Sequence, residues 1–478
     1  MQYETATAQL VALRSGKISS VELVEASIAR IEALDGKLNA IVVRDFERAR
    51  DAAKAADAAR AGGANLPLLG LPVTVKEAFN VAGLPTTWGI PGTSDIAVAE
   101  DAIVVARLKA AGAVVLGKSN VSTMLQDWQS ANPVYGVTNN PWDVSHTPGG
   151  SSGGGTAALA AGFVSLEFGS DLAGSLRVPA SFSGVFAHRG THGLVPKTGF
   201  EPPGTPNLSV QAPIDQAVLG PMARSAADLQ LALEVIAGPE EAGLKLDLPP
   251  VRHSRLRDFR VLVIDDIPLV PTAAVVRAAI GEIAAKLEAE GCTVSRNAKL
   301  LPDVTMLGKT FIELLMAFAG ADMPDDAWRG IAAHAAGIAP DTADLNAAGQ
   351  RAMAMSHRDW VHLDRIRFGL ADQWRQLFGD WDVVLCPATP VTAIQHDHTP
   401  WDGRTIDVDG SQVPYGLLPM WSSLAIPTGQ PVTTMPIAGD ALPIGMQIIG
   451  GRFEDRTTIG FAGLIEQAFG GFVRPPGY

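Results

Sequence analysis

The constraint that most limits how this chain can fold is a glycine-rich stretch at residues 147–199, TPGGSSGGGTAALAAGFVSLEFGSDLAGSLRVPASFSGVFAHRGTHGLVPKTG. Gly149, Gly150, Gly153, Gly154 and Gly155 surround Ser151 and Ser152, and Gly169, Gly174 and the acidic Asp171 precede Ser175. Glycine admits backbone angles that other residues refuse and lets main-chain N–H groups come close to a ligand. The small, apolar run 156–162 reads as a tightly packed helix, and residues 139–148 ahead of Ser151 are polar and broken by Pro141 and Pro148, so they read as loop. Two serines are thus set on glycine-rich turns of one segment.

Upstream, LPVTVKEAFNVAGLPTTWG places Lys76 after the apolar Val73 and Val75. Further runs are GKSN (117–120), NNPWD (139–143), GPMARSAADL (220–229), CPATP (386–390) and LPIGMQIIG (442–450). In these motifs and their order the chain resembles the amidase signature family, whose hallmark is a GGSSGG run followed by a GTDxGGSxRxPA run. The resemblance covers nearly the whole chain and is weakest from about Leu300 to Gly379. It implies an α/β fold with a large mixed β-sheet core covered by helices on both faces.

Composition supports a large buried core. The chain has 478 residues, 47% of them hydrophobic, which is far from the profile of disorder. A formal charge of −13 argues against nucleic acid as a partner, because phosphate binding needs a basic footprint. Two cysteines, Cys292 and Cys386, make no disulfide framework and fit a reducing cytosol, so a cytoplasmic location is expected. MQYETATAQL has no basic region ahead of an apolar core and does not read as a signal peptide, and no segment reads as spanning a membrane.

Along the chain, Ser19 and Glu22 form a capping-box signature that opens a helix with apolar positions Val21, Val24, Ile28 and Ile31. A second helix is expected over about 44–61, so residues 1–65 read as an N-terminal helical layer. Strand 71–75, helix 101–111 with Asp101 as N-cap, strand 113–116 and helix 223–237 belong to a signature core at 66–238. The connector 239–258 is the best candidate boundary; strand 260–266, helix 272–290 and strand 292–295 beyond it could form a separate domain. The resemblance favours one domain over 1–478, with a variable helical insertion at 305–375 near the substrate mouth.

Rival chemistries fail on context. GAVVLGKS at 112–119 matches the P-loop expression, but residues 113–116, where a phosphate-cradling loop is needed, read as a strand. Residues 149–153 fit G-x-S-x-G, yet no strand precedes Ser151 as that motif requires. His396 and His398 flank Asp397 without further spaced ligands, so neither metal nor cofactor is expected. A non-catalytic scaffold on the same fold would be expected to lose a site residue, and Lys76, Ser151 and Ser175 are all present.

The resemblance implies a Ser-Ser-Lys triad. Ser175 would attack the carbonyl carbon, Ser151 would relay the proton, and Lys76 would accept it. A serine hydroxyl needs such a base, and a lysine can serve only when burial has made it neutral. The resemblance also implies a cis peptide before Ser151 and an oxyanion hole from the N–H groups of Leu172, Ala173, Gly174 and Ser175. Ser152 and Asp171 would support the network. Ala173 departs from the family's glycine and Ser170 from its threonine, Glu77 replaces a frequent aspartate, and Arg189-Gly190-Thr191 replaces Lys-Pro-Thr.

The expected activity is hydrolysis of a small-molecule carboxylic amide through a seryl acyl-enzyme, releasing ammonia or an amine, as in acylamide amidohydrolases. The alternative is the glutaminase (A) subunit of a tRNA-dependent amidotransferase, against which Ala173 and Arg189–Thr191 lean. Leu125, Gln126, Asp127 and Trp128 are expected to line the acyl site, and the apolar character of Leu125, Trp128, Trp360 and Trp421 favours an apolar or aryl acyl group. The resemblance allows a homodimer.

Overall fold

Alternating side chains decide where each strand puts its chemistry. In the computed structural model, which describes residues 1–204, 214–241, 244, 246–321, 323–438 and 441–478, the strand Pro72–Lys76 is buried along its whole length. Val73 and Val75 enter an apolar cluster with Leu166 and Phe168 of the strand Leu166–Asp171. The two strands run parallel with Thr74 opposite Glu167, so Thr74, Lys76, Glu167, Gly169 and Asp171 fall to the other face. One face of this pair is apolar and the other carries the polar groups.

The strands, in chain order, are β1 (Ile41–Arg44), β2 (Pro72–Lys76), β3 (Val114–Ser119), β4 (Ala131–Asn132), β5 (Gly136–Val137), β6 (Leu166–Asp171), β7 (Phe186–Arg189), β8 (Val218–Ala223), β9 (Arg260–Val263), β10 (Thr293–Ser295), β11 (Val383–Pro387), β12 (Thr405–Val408), β13 (Ser411–Pro414), β14 (Val432–Ala438) and β15 (Ile444–Ile449). Among the described residues, eleven of them form one mixed sheet in the order β1-β3-β2-β6-β8-β7-β14-β15-β11-β9-β10. β4–β5 and β12–β13 are separate antiparallel pairs. Strands β9 and β10, beyond the connector at 239–258, lie at one edge of this same sheet.

The expected helix at the capping box spans Ser20–Leu34, with both reciprocal bonds of the box in place. The next spans Phe46–Ala61. The N-terminal segment is not only helical, however: β1 pairs with β3 at the other edge of the sheet. The helix expected to start at Asp101 is Ile103–Ala110 with Ala102 at its N-cap, because the Asp101 carboxylate instead accepts the Ala82 N–H at 2.8 Å and pairs with Lys109. Helices in and around 305–375 are Val304–Ala321, Asp325–Ala335, Leu345–Ala352 and His357–Asp380. Val304–Ala321 is long and apolar enough to cross a membrane by length and composition; here it packs against Leu345–Ala352 and His357–Asp380. Residues 205–213 of the signature core and 242, 243 and 245 of the connector lie outside the described residues.

Candidate active site

The first serine turn runs straight into the helix Gly153–Ala160, every residue of which is buried. That helix starts three residues before the expected 156. Three consecutive glycines are poor helix formers, and packing overrides the propensity: a β-carbon at Gly155 would sit 2.5 Å from the Glu167 side chain. Only a residue without a side chain lets this helix lie on the polar face of β6. The peptide bond between Gly150 and Ser151 is cis.

Lys76 reaches from β2 to this turn and is fully buried. Its Nζ donates to Ser151 Oγ at 2.6 Å, Ser170 Oγ at 2.9 Å and Ser152 Oγ at 3.0 Å. Three hydroxyls suit both states of the amine. An ammonium donates to all three; a neutral amine donates to two and offers its lone pair to the third. Burial pushes the Lys76 pKa down to about 7, opposed by the carboxylates of Asp171 and Glu167. Beneath it, Glu167 accepts from Thr74 Oγ1 and, at 2.7 Å, from Ser119 Oγ. Burial raises the Glu167 pKa to about 8 against those hydrogen bonds.

The second turn is organised by Asp171. Its carboxylate receives the Gly174 N–H at 3.0 Å, the Leu176 N–H at 3.2 Å and a two-point contact from Arg177 at 2.8 and 2.9 Å. Arg189 lies 3.6 Å away. Burial opposes ionisation, but the Arg177 guanidinium, with help from Arg189, outweighs it and holds the Asp171 carboxyl well below the usual carboxylate range. Arg177 in turn donates to Ser422 O and Gln447 Oε1.

Ser175 is buried and its carbonyl accepts the Ser152 N–H at 3.3 Å, tying the two turns together. Among the described residues its hydroxyl has no hydrogen-bond partner. The N–H groups of Leu172, Ala173 and Ser175 are likewise without an acceptor among the described residues. Gly174 is different. Its N–H is given to Asp171, which corrects the four-donor expectation to three. Ala173 has φ outside the left-handed region and packs against two apolar clusters, one holding Met420, Trp421 and Ile426, the other Trp128, Val178 and Tyr415.

The four residues expected to line the acyl site divide. Leu125, at φ 59°, is half-buried against the main core, and Gln126 is exposed. Asp127 is taken up by Arg404 and Tyr415, and Trp128 Nε1 donates to Ala173 O at 2.8 Å. The sequence reading missed Glu167, Thr74, Ser119 and Arg177, and saw Ser170 only as a substitution; an acidic residue inside the apolar strand LEFGSD was the available signal.

The rival chemistries find no support in this geometry. Lys118 of the P-loop look-alike is buried and donates to Pro85 O and Thr86 Oγ1. Among the described residues no histidine hydrogen-bonds Ser151 or Ser175, and the buried His188–Asp455 pair turns to Thr433 instead.

A family model described as Amidase matches residues 22–459. The chain is 33% identical to an indoleacetamide hydrolase of Bradyrhizobium diazoefficiens, covering 96% of this chain and 85% of that one. It is 31% identical to the (A) subunit of a glutamyl-tRNA(Gln) amidotransferase of Roseiflexus castenholzii, covering 94% and 92%. A solved structure of a vestigial protein complex, reported for the evolutionary origins of an s-triazine catabolic enzyme, superposes with a TM-score of 0.80 at 29% identity, covering 99% of this chain and 100% of that one.

Proposed function

The chain belongs to the amidase family and hydrolyses amides, and from that premise we propose that it cleaves a linear carboxylic amide bearing an apolar acyl group, through an acyl-enzyme on Ser175. The observation that carries this reading is the buried Lys76 amine, 2.6 Å from Ser151 Oγ and with its pKa near 7, at a serine turn tied by the Ser152 N–H to the carbonyl of Ser175, whose hydroxyl has no hydrogen-bond partner among the described residues. A base poised near neutrality is what general-base catalysis at neutral pH needs.

In the first step neutral Lys76 takes a proton from Ser151 as Ser151 takes one from Ser175. Ser175 Oγ then bonds the carbonyl carbon, and the displaced electron pair settles on the carbonyl oxygen. The free N–H groups of Leu172, Ala173 and Ser175 meet that charge; one such donor typically supplies about 2.7–4 kcal/mol. The proton on Lys76 returns through Ser151 to the amide nitrogen, the C–N bond breaks, and ammonia or an amine departs. Water attacks the acyl carbon through the same relay, giving the carboxylic acid and restoring Ser175.

The acyl preference is supported by the two apolar clusters around Ala173 and by the pairing of nearby charges: Asp127 with Arg404, Asp171 with Arg177. The indoleacetamide hydrolase relative points the same way. The test is a panel of arylacetamides, alkyl amides, anilides and glutamine, with acid and amine measured for the purified chain. Turnover of apolar amides supports the reading. Ammonia from glutamine alone would instead favour the role of the amidotransferase relative.

A further inference from the structure

Both serine turns lean on one short strip of chain, residues 127–130. Ser130 Oγ donates to Gly149 O at 3.0 Å and accepts the Gly153 N–H at 2.9 Å, so it spans the Ser151 turn. A β-carbon at Gly150 would lie 2.5 Å from Asp127 O and 2.7 Å from Gln129 N; this turn sits directly on the strip. Trp128 reaches the other turn, where its indole N–H holds the Ala173 carbonyl at 2.8 Å. That carbonyl belongs to the same peptide unit whose N–H is given to Asp171 at 3.0 Å. The Ala173–Gly174 peptide is therefore fixed at both ends, next to a Gly174 whose φ of 94° only glycine adopts readily.

The strip is itself gripped from outside by the excursion that carries β12 and β13. Arg404, just before β12, pairs with Asp127 at 2.5 Å, and the Tyr415 hydroxyl, just after β13, donates to the same carboxylate at 2.6 Å. Trp401 and Tyr415 pack on the Trp128 ring with centroids 5.3 and 5.5 Å away. Gln129 exchanges two hydrogen bonds with the backbone of Asp397, at 2.8 and 2.9 Å. Trp128 and Tyr415 are buried.

We propose that Trp128 is a positioning residue for hydrolysis, set by the Asp127–Arg404–Tyr415 clamp, and that it acts by fixing the Ala173 carbonyl and so the turn whose N–H groups meet the oxyanion. The inference rests on the oxyanion reading given above. It separates Trp128 from a mere wall of the acyl site: a wall contributes to substrate affinity, whereas a fixed donor array contributes to turnover. Tyr415 and Arg404 never approach the substrate on this account; they work through Trp128.

The experiment measures kcat and KM on one apolar acyl amide, with thermal melts and phosphonate labelling of Ser175, for wild type, Trp128→Phe, Tyr415→Phe, the double variant, Arg404→Lys and Arg404→Gln. Phenylalanine keeps an aromatic ring but removes the N–H together with part of the indole, and the thermal melts report the packing lost with it. Trp128→Phe is expected to lower kcat about tenfold or more while KM stays within about threefold. Tyr415→Phe should lower kcat less, and in the double variant it should add nothing, since its path through Trp128 is already cut. Arg404→Lys should retain more turnover than Arg404→Gln. A normal kcat in Trp128→Phe, a change confined to KM, or a Tyr415 loss that multiplies fully onto the Trp128 loss would each overturn the proposal while Ser175 still takes the label. Labelling of a different serine in the wild type would overturn the oxyanion reading beneath it.

Discussion

Ser170 Oγ accepts a hydrogen bond from Lys76 Nζ at 2.9 Å, as a third hydroxyl beside those of Ser151 and Ser152. The amine thus sits in a cage of neutral groups, with Glu167 and Asp171 as the carboxylates that raise its pKa. Burial wins, and the amine titrates near neutrality. The chemistry of the site turns on that balance.

The pH profile should show it. Because the lysine must be neutral to accept a proton, kcat/KM should fall as pH drops through about 7, the value to which burial brings Lys76. Asp171, held ionised by Arg177, is the charge that most opposes that lowering, so Asp171→Asn should move this acid limb to lower pH. A pH–rate series on both proteins checks the sign. A limb that stays put or moves upward in Asp171→Asn would show that the carboxylate does not act on the lysine.

Asp171 is a stability element as much as a site element. Asp171→Asn would leave Arg177 and Arg189 buried without their anionic partner. Breaking one side of a buried pair typically costs about 3–5 kcal/mol. Denaturant unfolding should show a loss of that size, and a loss below about 1 kcal/mol would contradict the pairing.

Ala173 bears on specificity. Its backbone lies outside the left-handed region, so the methyl is unstrained and its effect is one of volume. Ala173→Gly should improve kcat/KM for α-branched acyl amides and leave the best straight-chain amide nearly unchanged. Comparing the two substrate series in both proteins decides it; a uniform gain across all amides would contradict the volume account.

The serine turns and Lys76 were legible because glycine spacing and motif order mark them in one dimension. The neighbours that tune them were not. Glu167 faces the lysine side only because β2 and β6 pair in a register that sets Thr74 opposite it, and register is a property of the folded sheet. The tie from Arg404 to Asp127 spans 277 residues, beyond any local pattern. Asp101 illustrates the reverse error: a good N-cap residue at a helix start was drawn off by Ala82 and Lys109, and the cap fell to Ala102. The three glycines at 153–155, ahead of the run expected to be helical, are poor helix formers and join the helix because it lies close to Glu167.

The most direct test of the central claim is to trap the acyl-enzyme. Wild-type protein mixed with a slowly hydrolysed apolar anilide, quenched in acid and mapped by mass spectrometry, should carry the acyl group on Ser175 alone, and Ser175→Ala should carry none and turn over no amide. An acyl group found on another residue, or measurable amide turnover by Ser175→Ala, would contradict the account.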